Sequence, residues 1–350
     1  MIYSSTRPLS GSAFRLGPIS FRWRLRTLLV CLLLVAAALF LAVLLLGTGT
    51  LHFSPAQVLT SLMGGGDNAV ADRVIQRIRL PRLLTALCVG ASLGMAGSIF
   101  QSISRNALGS PDVIGFTSGA ATGAIVQIIL FNAGPLETAL AAVISGLLTA
   151  IVVFVLSLRG RGTGGYRLVL VGIGVGAILS GINTVLLVMG DLDQAMSAQI
   201  WLAGSLNTRT WSHVIPAALG LILIVPVAIY HARHINLLEM GDDAASQLGV
   251  HVERTRLVLV IAAVGLTAIA TAAAGPVAFI ALAGPQLARR LTHASGVPLV
   301  SGALLGAVLL LAADVLSQRF PLHIQMPIGL TTGLLGGFYL LWLLTRSRKV

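Results

Sequence analysis

Few residues in this sequence could do chemistry. Lys349 is its only lysine and is followed by Val350 alone, so the phosphate-cradling pattern GxxxxGK[ST] cannot be formed. Neither HExxH nor a paired CxxC occurs, and Cys31 and Cys88 both lie inside apolar runs, where they read as small buried hydrophobes. Gly90-Ala91-Ser92-Leu93-Gly94 matches a GxSxG nucleophile elbow in letters only. That elbow needs a strand-turn-helix setting, and this stretch sits in an apolar helical run. His231, His234 and His293 fall between apolar runs and get no ligand reading. Asp314 is read as the one carboxylate close to a long apolar run. Proton or sodium coupling usually needs buried acids or broken-helix ion sites, so a self-powered transporter is disfavoured.

The elements that must position these residues are set by lipid. Of 350 residues, 56% are hydrophobic and only 10% charged, against about a quarter charged in ordinary globular domains. Mean hydropathy is +0.94. The net charge of +12 could suggest nucleic acid, but the arginines stand in short clusters between apolar runs instead of lining one polar face. They read as topology signals, and no nucleic-acid partner is expected.

A membrane-spanning helix needs about 20 mostly apolar residues. Windows of that kind fall near 27–46, 83–103, 114–131, 137–158, 167–189, 213–230, 257–274, 276–291, 298–316 and 327–345. The first is too long for a signal-peptide core of about 7–15 residues, so it reads as a retained span. The run from Leu257 to Leu291 is too long for one crossing and is divided at Gly275-Pro276, where a chain can turn. The expectation is an all-α membrane protein of about ten spans. Residues 27–345 form one transmembrane domain, with tails at 1–26 and 346–350. Ten spans with both tails inside leave only Arg73, Arg77, Arg79, Arg82, Arg209 and Arg319 of the 23 basic residues outside, in keeping with the positive-inside rule. Nine spans would export the Arg289-Arg290 pair and the basic C-terminal tail. Gly115, Gly119 and Gly123, and likewise Gly329, Gly333 and Gly337, are spaced as seams for close helix packing.

Three stretches carry a resemblance. The first is Arg79-Leu80-Pro81-Arg82 with Gly90-Ala91, Gln101, Arg105-Asn106 and Leu108-Gly109-Ser110-Pro111-Asp112. The second runs from Leu237 through Glu239, Gly241-Asp242-Asp243 and Gln247-Leu248-Gly249 to Glu253-Arg254. The third is Ala274-Gly275-Pro276-Val277-Ala278-Phe279-Ile280, with Ala312-Ala313-Asp314 and Met326-Pro327-Ile328-Gly329 further on. Together they resemble the iron-siderophore and vitamin B12 permease family of type II ABC importers over nearly the whole chain. RNALGSPDVIGF, AGSLN and LLEMGDDAASQLGVHVER are most similar to the second membrane subunit of ferric-enterobactin importers.

The resemblance implies a vitamin B12 importer permease-like fold in a bacterial inner membrane, multi-pass, with both termini cytoplasmic. It implies a second permease subunit, a non-identical homologue, together with two ABC ATPases and a periplasmic siderophore-binding protein. The chain would bind no cofactor or metal of its own, ATP-Mg residing on the ATPase. An iron chelate already satisfies its metal, so the permease needs shape and mild polarity. The loop 237–256 would couple to the ATPase through Leu238, Glu239, Met240, Gly241, Asp242, Asp243, Ala244, Leu248 and Gly249. Arg79, Arg82 and Arg319 would face the binding protein. Gly164, Gly165 and Tyr166 stand where relatives carry an inner gate, and Asn183 and Gln286 are candidates for the translocation path. The expected function is import of a ferric siderophore of catecholate, enterobactin-like type by alternating access, with no enzymatic activity in this chain. The alternative within the class is a vitamin B12 or haem permease. The alternative outside it is a self-standing secondary transporter or channel.

Overall fold

The structure is a computed structural model that describes residues 12–16, 19–23, 25–49, 51–64, 68–158, 165–319 and 326–346. It opens with an antiparallel hairpin, β1 (Ser12–Leu16) and β2 (Ile19–Trp23), in which Phe14 stands opposite Phe21. Everything after it is helical. In order come α1 (Leu25–Gly47), α2 (Pro55–Leu62), α3 (Ala69–Val74), a π-helical turn at Ile75–Arg79, and α4 (Leu80–Ser104). A short 3-10 turn at Pro111–Ile114 leads into α5 (Phe116–Phe131), α6 (Pro135–Ser157), α7 (Gly165–Met189), α8 (Leu192–Leu202) and α9 (Trp211–Tyr230). Two short helices, α10 (Ala232–Glu239) and α11 (Asp242–Gln247), precede α12 (Val252–Ala274), α13 (Ile280–Thr292), α14 (Leu299–Arg319) and α15 (Ile328–Arg346).

Every apolar window of the sequence carries one of these helices, as lipid demands: with no water to satisfy them, backbone N–H and C=O groups must pair within the segment. Among the described residues seven helices are long and apolar enough to cross a bilayer alone, and α5 and α15 are shorter apolar helices. The remaining one, α13, differs most from the sequence expectation. Its 13 residues span about 20 Å at the usual rise. The chain does break at Gly275, where φ is 74°, but helix resumes only at Ile280, after Phe279 at φ 76°. The cause is tertiary. Ser205 N–H donates to Ala274 O at 2.8 Å, fixing the end of α12, and the Phe279 ring meets Tyr339 of α15 edge-on at 5.9 Å.

At the centre lies α4. Its half nearer Arg105 packs with α5, α6 and α12 in one apolar cluster that includes Ile99, Phe100, Phe116, Leu259 and Leu266. Its other half joins α1, α13 and α14 in a second cluster, with Leu83, Val89, Ile280, Leu310 and Leu311. Glycine permits these contacts. A Cβ on Gly94 would overlap Gly302 O, one on Gly90 would stand 2.6 Å from Gly306 O, and one on Gly97 would overlap the α13 backbone at Ala281. Packing, not hydrophobicity, drives helix association in lipid, and backbones this close maximise it.

The two glycine ladders differ. Gly119 and Gly123 do form a seam, closed against Thr149 and Ser145 of α6, and Ser145 Oγ donates to Gly119 O at 2.6 Å. In the other ladder Gly329 abuts Ala203 O, but Gly333 and Gly337 face open space, and the close approach is made by Gly336 to the Phe279 ring. Gly94→Ala is therefore expected to force α4 from α14 at about 1–3 kcal/mol, and Gly333→Ala to cost nothing within the subunit. Thermal unfolding of the purified protein in detergent measures both; a Gly94→Ala protein as stable as its parent would show that the close approach is not needed.

Candidate functional site

The loop expected to couple lies at one end of the bundle and is built by two short helices set at an angle. Ile235 and Leu238 are buried, so α10 lies with one face against the core, and Asn236 Oδ1 accepts from Val297 N–H at 2.7 Å. Gly241, at φ 114° and ψ 154°, then redirects the chain into a conformation that only glycine adopts at low cost. Asp242 and Asp243 occupy the first turn of α11, where the helix dipole favours carboxylates. Ala245 and Val250 return to the core, and Gly249 at φ 84° ends the helix.

The polar side chains of this loop divide into two sets. Glu239 turns inward, accepting from Ser102 Oγ of α4 at 2.7 Å and from Arg289 of α13. Asp242 accepts from Arg256 at 2.8 Å and from Arg105 at 3.1 Å, which joins α11 to α12 and to the residue capping α4. The Arg256 side chain is only 2% exposed, and Glu253 at 3.3 Å shares its charge. Outward stand Met240 (68% exposed) and Leu248 (60%), with Asp243, Ser246, Gln247 and Gly249 between them. Ala244 is half-buried, and Leu238 is held within the core. Burial first, then the nearby charges of His231 and Arg233, push the His234 imidazole below its ordinary pKa, and no group of three or more metal-ligating side chains occurs among the described residues.

At the other end of the bundle Arg82 grips Asp314 as a fork, Nη2 to Oδ1 at 2.6 Å and Nε to Oδ2 at 3.1 Å. Its remaining nitrogen donates to Asn207 at 2.8 Å, and Gln318 donates to Asp314 at 3.1 Å. Asp314 is almost wholly buried, so α4 and α14 are joined there by a bidentate pair as well as by their glycines. Arg79 donates to the carbonyls of Leu46 and Leu51, and its guanidinium lies 4.9 Å over the Phe53 ring. Arg319, by contrast, is exposed in the last turn of α14. A cleft of about 510 Å³ opens here between His52, Arg82, Asn207, Gln318 and Arg319.

Of the gate candidates, Gly164 lies outside the described residues, and Gly165 and Tyr166 open α7. Asn183 lies on α7 with a buried side-chain oxygen that has no hydrogen-bond partner. Gln286 is buried, its amide donating to Ala107 O at 2.6 Å and accepting from the Tyr339 hydroxyl at 3.3 Å. Asp112 belongs to one of the sequence motifs, which assigns it no role; it lies in the 3-10 turn before α5. Its carboxylate accepts from Thr117 and borders a narrow cavity within the bundle, lined also by Leu93, Thr267 and Thr271. An acidic residue among apolar helices is the signal that finds it.

Removing one member of the Arg82–Asp314 pair strands a buried charge. Arg82→Leu is expected to destabilise by about 3–5 kcal/mol, and adding Asp314→Leu to recover most of that loss. Thermal unfolding of the two single variants and the double variant gives the coupling directly.

Comparison with known proteins agrees with this architecture. Residues 16–346 match the FecCD transport family. Over 325 residues the chain is 45% identical to the ferric enterobactin transport system permease protein FepG of Escherichia coli (strain K12), covering 93% of this chain and 98% of that protein. It is 37% identical over 278 residues to the hemin transport system permease protein HmuU of Yersinia pestis, covering 78% and 83% of the two chains. A solved structure described as an inward-facing conformation of a metal-chelate type ABC transporter superposes with a TM-score of 0.81 at 28% identity, covering 91% of this chain and 99% of that one. The family match, the identity over almost the whole chain and the shared helical architecture converge, and the chain belongs to the FecCD transport family.

Proposed function

We propose that this chain is a permease subunit of an ATP-driven importer that moves a ferric siderophore, a catecholate chelate of the enterobactin kind, from periplasm to cytoplasm by alternating access. The observation that carries this reading is the 45% identity to a ferric enterobactin permease along almost the whole chain. The similarity to a hemin permease is lower and leaves more of both chains uncovered, which favours the siderophore over haem.

In this reading the α10–α11 end lies in the cytoplasm and both tails with it. Met240 and Leu248 support it: large apolar side chains exposed on a short polar loop fit a partner's groove better than water. The partner in this reading is an ATPase chain, which an ATP-driven importer without a P-loop of its own needs. Asp243 between them contributes charge to the same contact. The cleft at the Asp314 end faces the periplasm and receives the binding protein, with Arg319 as its exposed cation and Arg82 in its lining.

Uptake of radio-iron as ferric enterobactin, with haem and cobalamin as competitors, tests the reading in a strain deleted for the subunit and complemented by it. Enterobactin transport that requires the ATPase gene is expected; uptake without any ATPase would return the chain to the self-standing transporters. Met240→Asp with Leu248→Asp should lower ATPase co-purification and uptake together, by about 30-fold if the two act as an interface hot spot. Arg319→Glu should weaken binding-protein docking at low salt and lose most of that difference at 1 M salt, where screening reaches about 3 Å. Affinity measured by light scattering or surface immobilisation at two ionic strengths decides it.

A further inference from the structure

The carboxylates of Glu239 and Asp242 are each engaged within the subunit, although their side chains remain 22% and 37% exposed. Glu239 is held by Ser102 and Arg289, and Asp242 by Arg105 and Arg256. Each therefore links the loop to two long helices at once: Glu239 to α4 and α13, Asp242 to α12 and the residue capping α4. Those helices do not move independently. The backbone of α4 meets α13 at Gly97–Ala281, and it meets α14 at Gly94–Gly302 and Gly90–Gly306, closer than any side chain would allow. Displacement of Ser102 or Arg289 is thus carried along α4, α13 and α14 as one body, up to the Arg82–Asp314 fork at their far end.

We propose that Glu239 and Asp242 are positioning residues that fasten the loop to the glycine-packed helices through Arg289, Ser102, Arg105 and Arg256, and so convert ATPase closure into movement of the transport path. The ATPase itself is touched by Met240, Asp243 and Leu248. This rests on the proposed function, because it presumes that the loop seats on an ATPase. Two residue sets on one loop then have separable tasks: the outward set holds the motor, and the inward set transmits its stroke. Interfaces and packed cores that are rigid in this way pass small shifts on instead of absorbing them. The motion enters through ion pairs, which can hold under load yet re-form when the loop returns.

The test uses the complete transporter, with its ATPase and binding protein, in liposomes, and reads three quantities: ATPase co-purification, ATP hydrolysis, and ferric enterobactin imported per ATP hydrolysed. Glu239→Gln keeps the shape and removes the charge, Arg289→Glu sets two like charges face to face, and Glu239→Arg with Arg289→Glu restores an ion pair in reverse. For both single variants the expected result is retained co-purification with an import-to-hydrolysis ratio lowered about tenfold, and recovery of much of that ratio in the double variant. A merely structural role would lower co-purification and hydrolysis alongside transport, leaving the ratio unchanged. The proposal is overturned if the single variants keep the parental ratio, if they lose the ATPase as Met240→Asp with Leu248→Asp does, or if the charge swap recovers nothing. Failure of the parent protein to hold an ATPase at all would instead sink the functional reading on which the proposal stands.

Discussion

The close approach of α4 to α13 and α14 is the constraint on which the rest of the structure depends. Lipid offers no hydrophobic gain for pressing one apolar helix on another, so packing must come from contact area. Gly90, Gly94 and Gly97 on α4 meet Gly302, Gly306 and Ala281 backbone to backbone. The result is a three-helix body whose interior has no room for a methyl group. The short α13 could not remain in place by length alone, since about 20 Å does not cross a bilayer core of about 30 Å. It is held because its backbone lies against α4 on one side and its entry residue, Phe279, is trapped between Gly336 and Tyr339 on another.

Charge follows from the same body. A carboxylate in an apolar bundle is tolerated only where a cation and further donors meet it. Asp314 meets Arg82 and Gln318 at one end, and Glu239 and Asp242 meet Arg289, Arg105 and Arg256 at the other. Both groups of pairs lie where α4 begins and ends. The helix with the tightest apolar contacts is thus also the one tied at each end by ionised groups, which fixes its depth and its rotation. Arg319 and Asp243 are left exposed at those two ends.

How much of this could be read from sequence depends on whether the cause is local. Helix positions were legible, because an apolar window of spanning length has one stable conformation in lipid. The break at Gly275-Pro276 was legible too, since both residues disfavour helix. The extent of the break was not: Phe279 takes its left-handed backbone from contacts with α15, more than fifty residues away in the chain. The hairpin at residues 12–23 has a period of two in Phe14, Leu16 and in Ile19, Phe21, Trp23, a signal that a search for spanning windows does not see. Ladder spacing identified Gly119 and Gly123 correctly, but spacing alone does not say what lies opposite, and Gly333 and Gly337 have nothing opposite.

The loop shows the same limit at the level of the site. Its position, its acidic character and its glycines were all visible as letters, and they drew attention to nine residues as one patch. The structure divides that patch, because Ser102, Arg105 and Arg289, three of the four partners of Glu239 and Asp242, come from other elements, and nothing in the loop's own sequence announces them. A carboxylate's task is set by what faces it: Glu239 and Asp242, paired with arginines of other elements, join helices, whereas Asp243 stands exposed beside Met240 and Leu248. This acidic cluster is therefore better understood as two layers. The outer layer is exposed, while the inner one is bound to the helix packing beneath it, because any change there must be matched on α4, α12 or α13 at the same time.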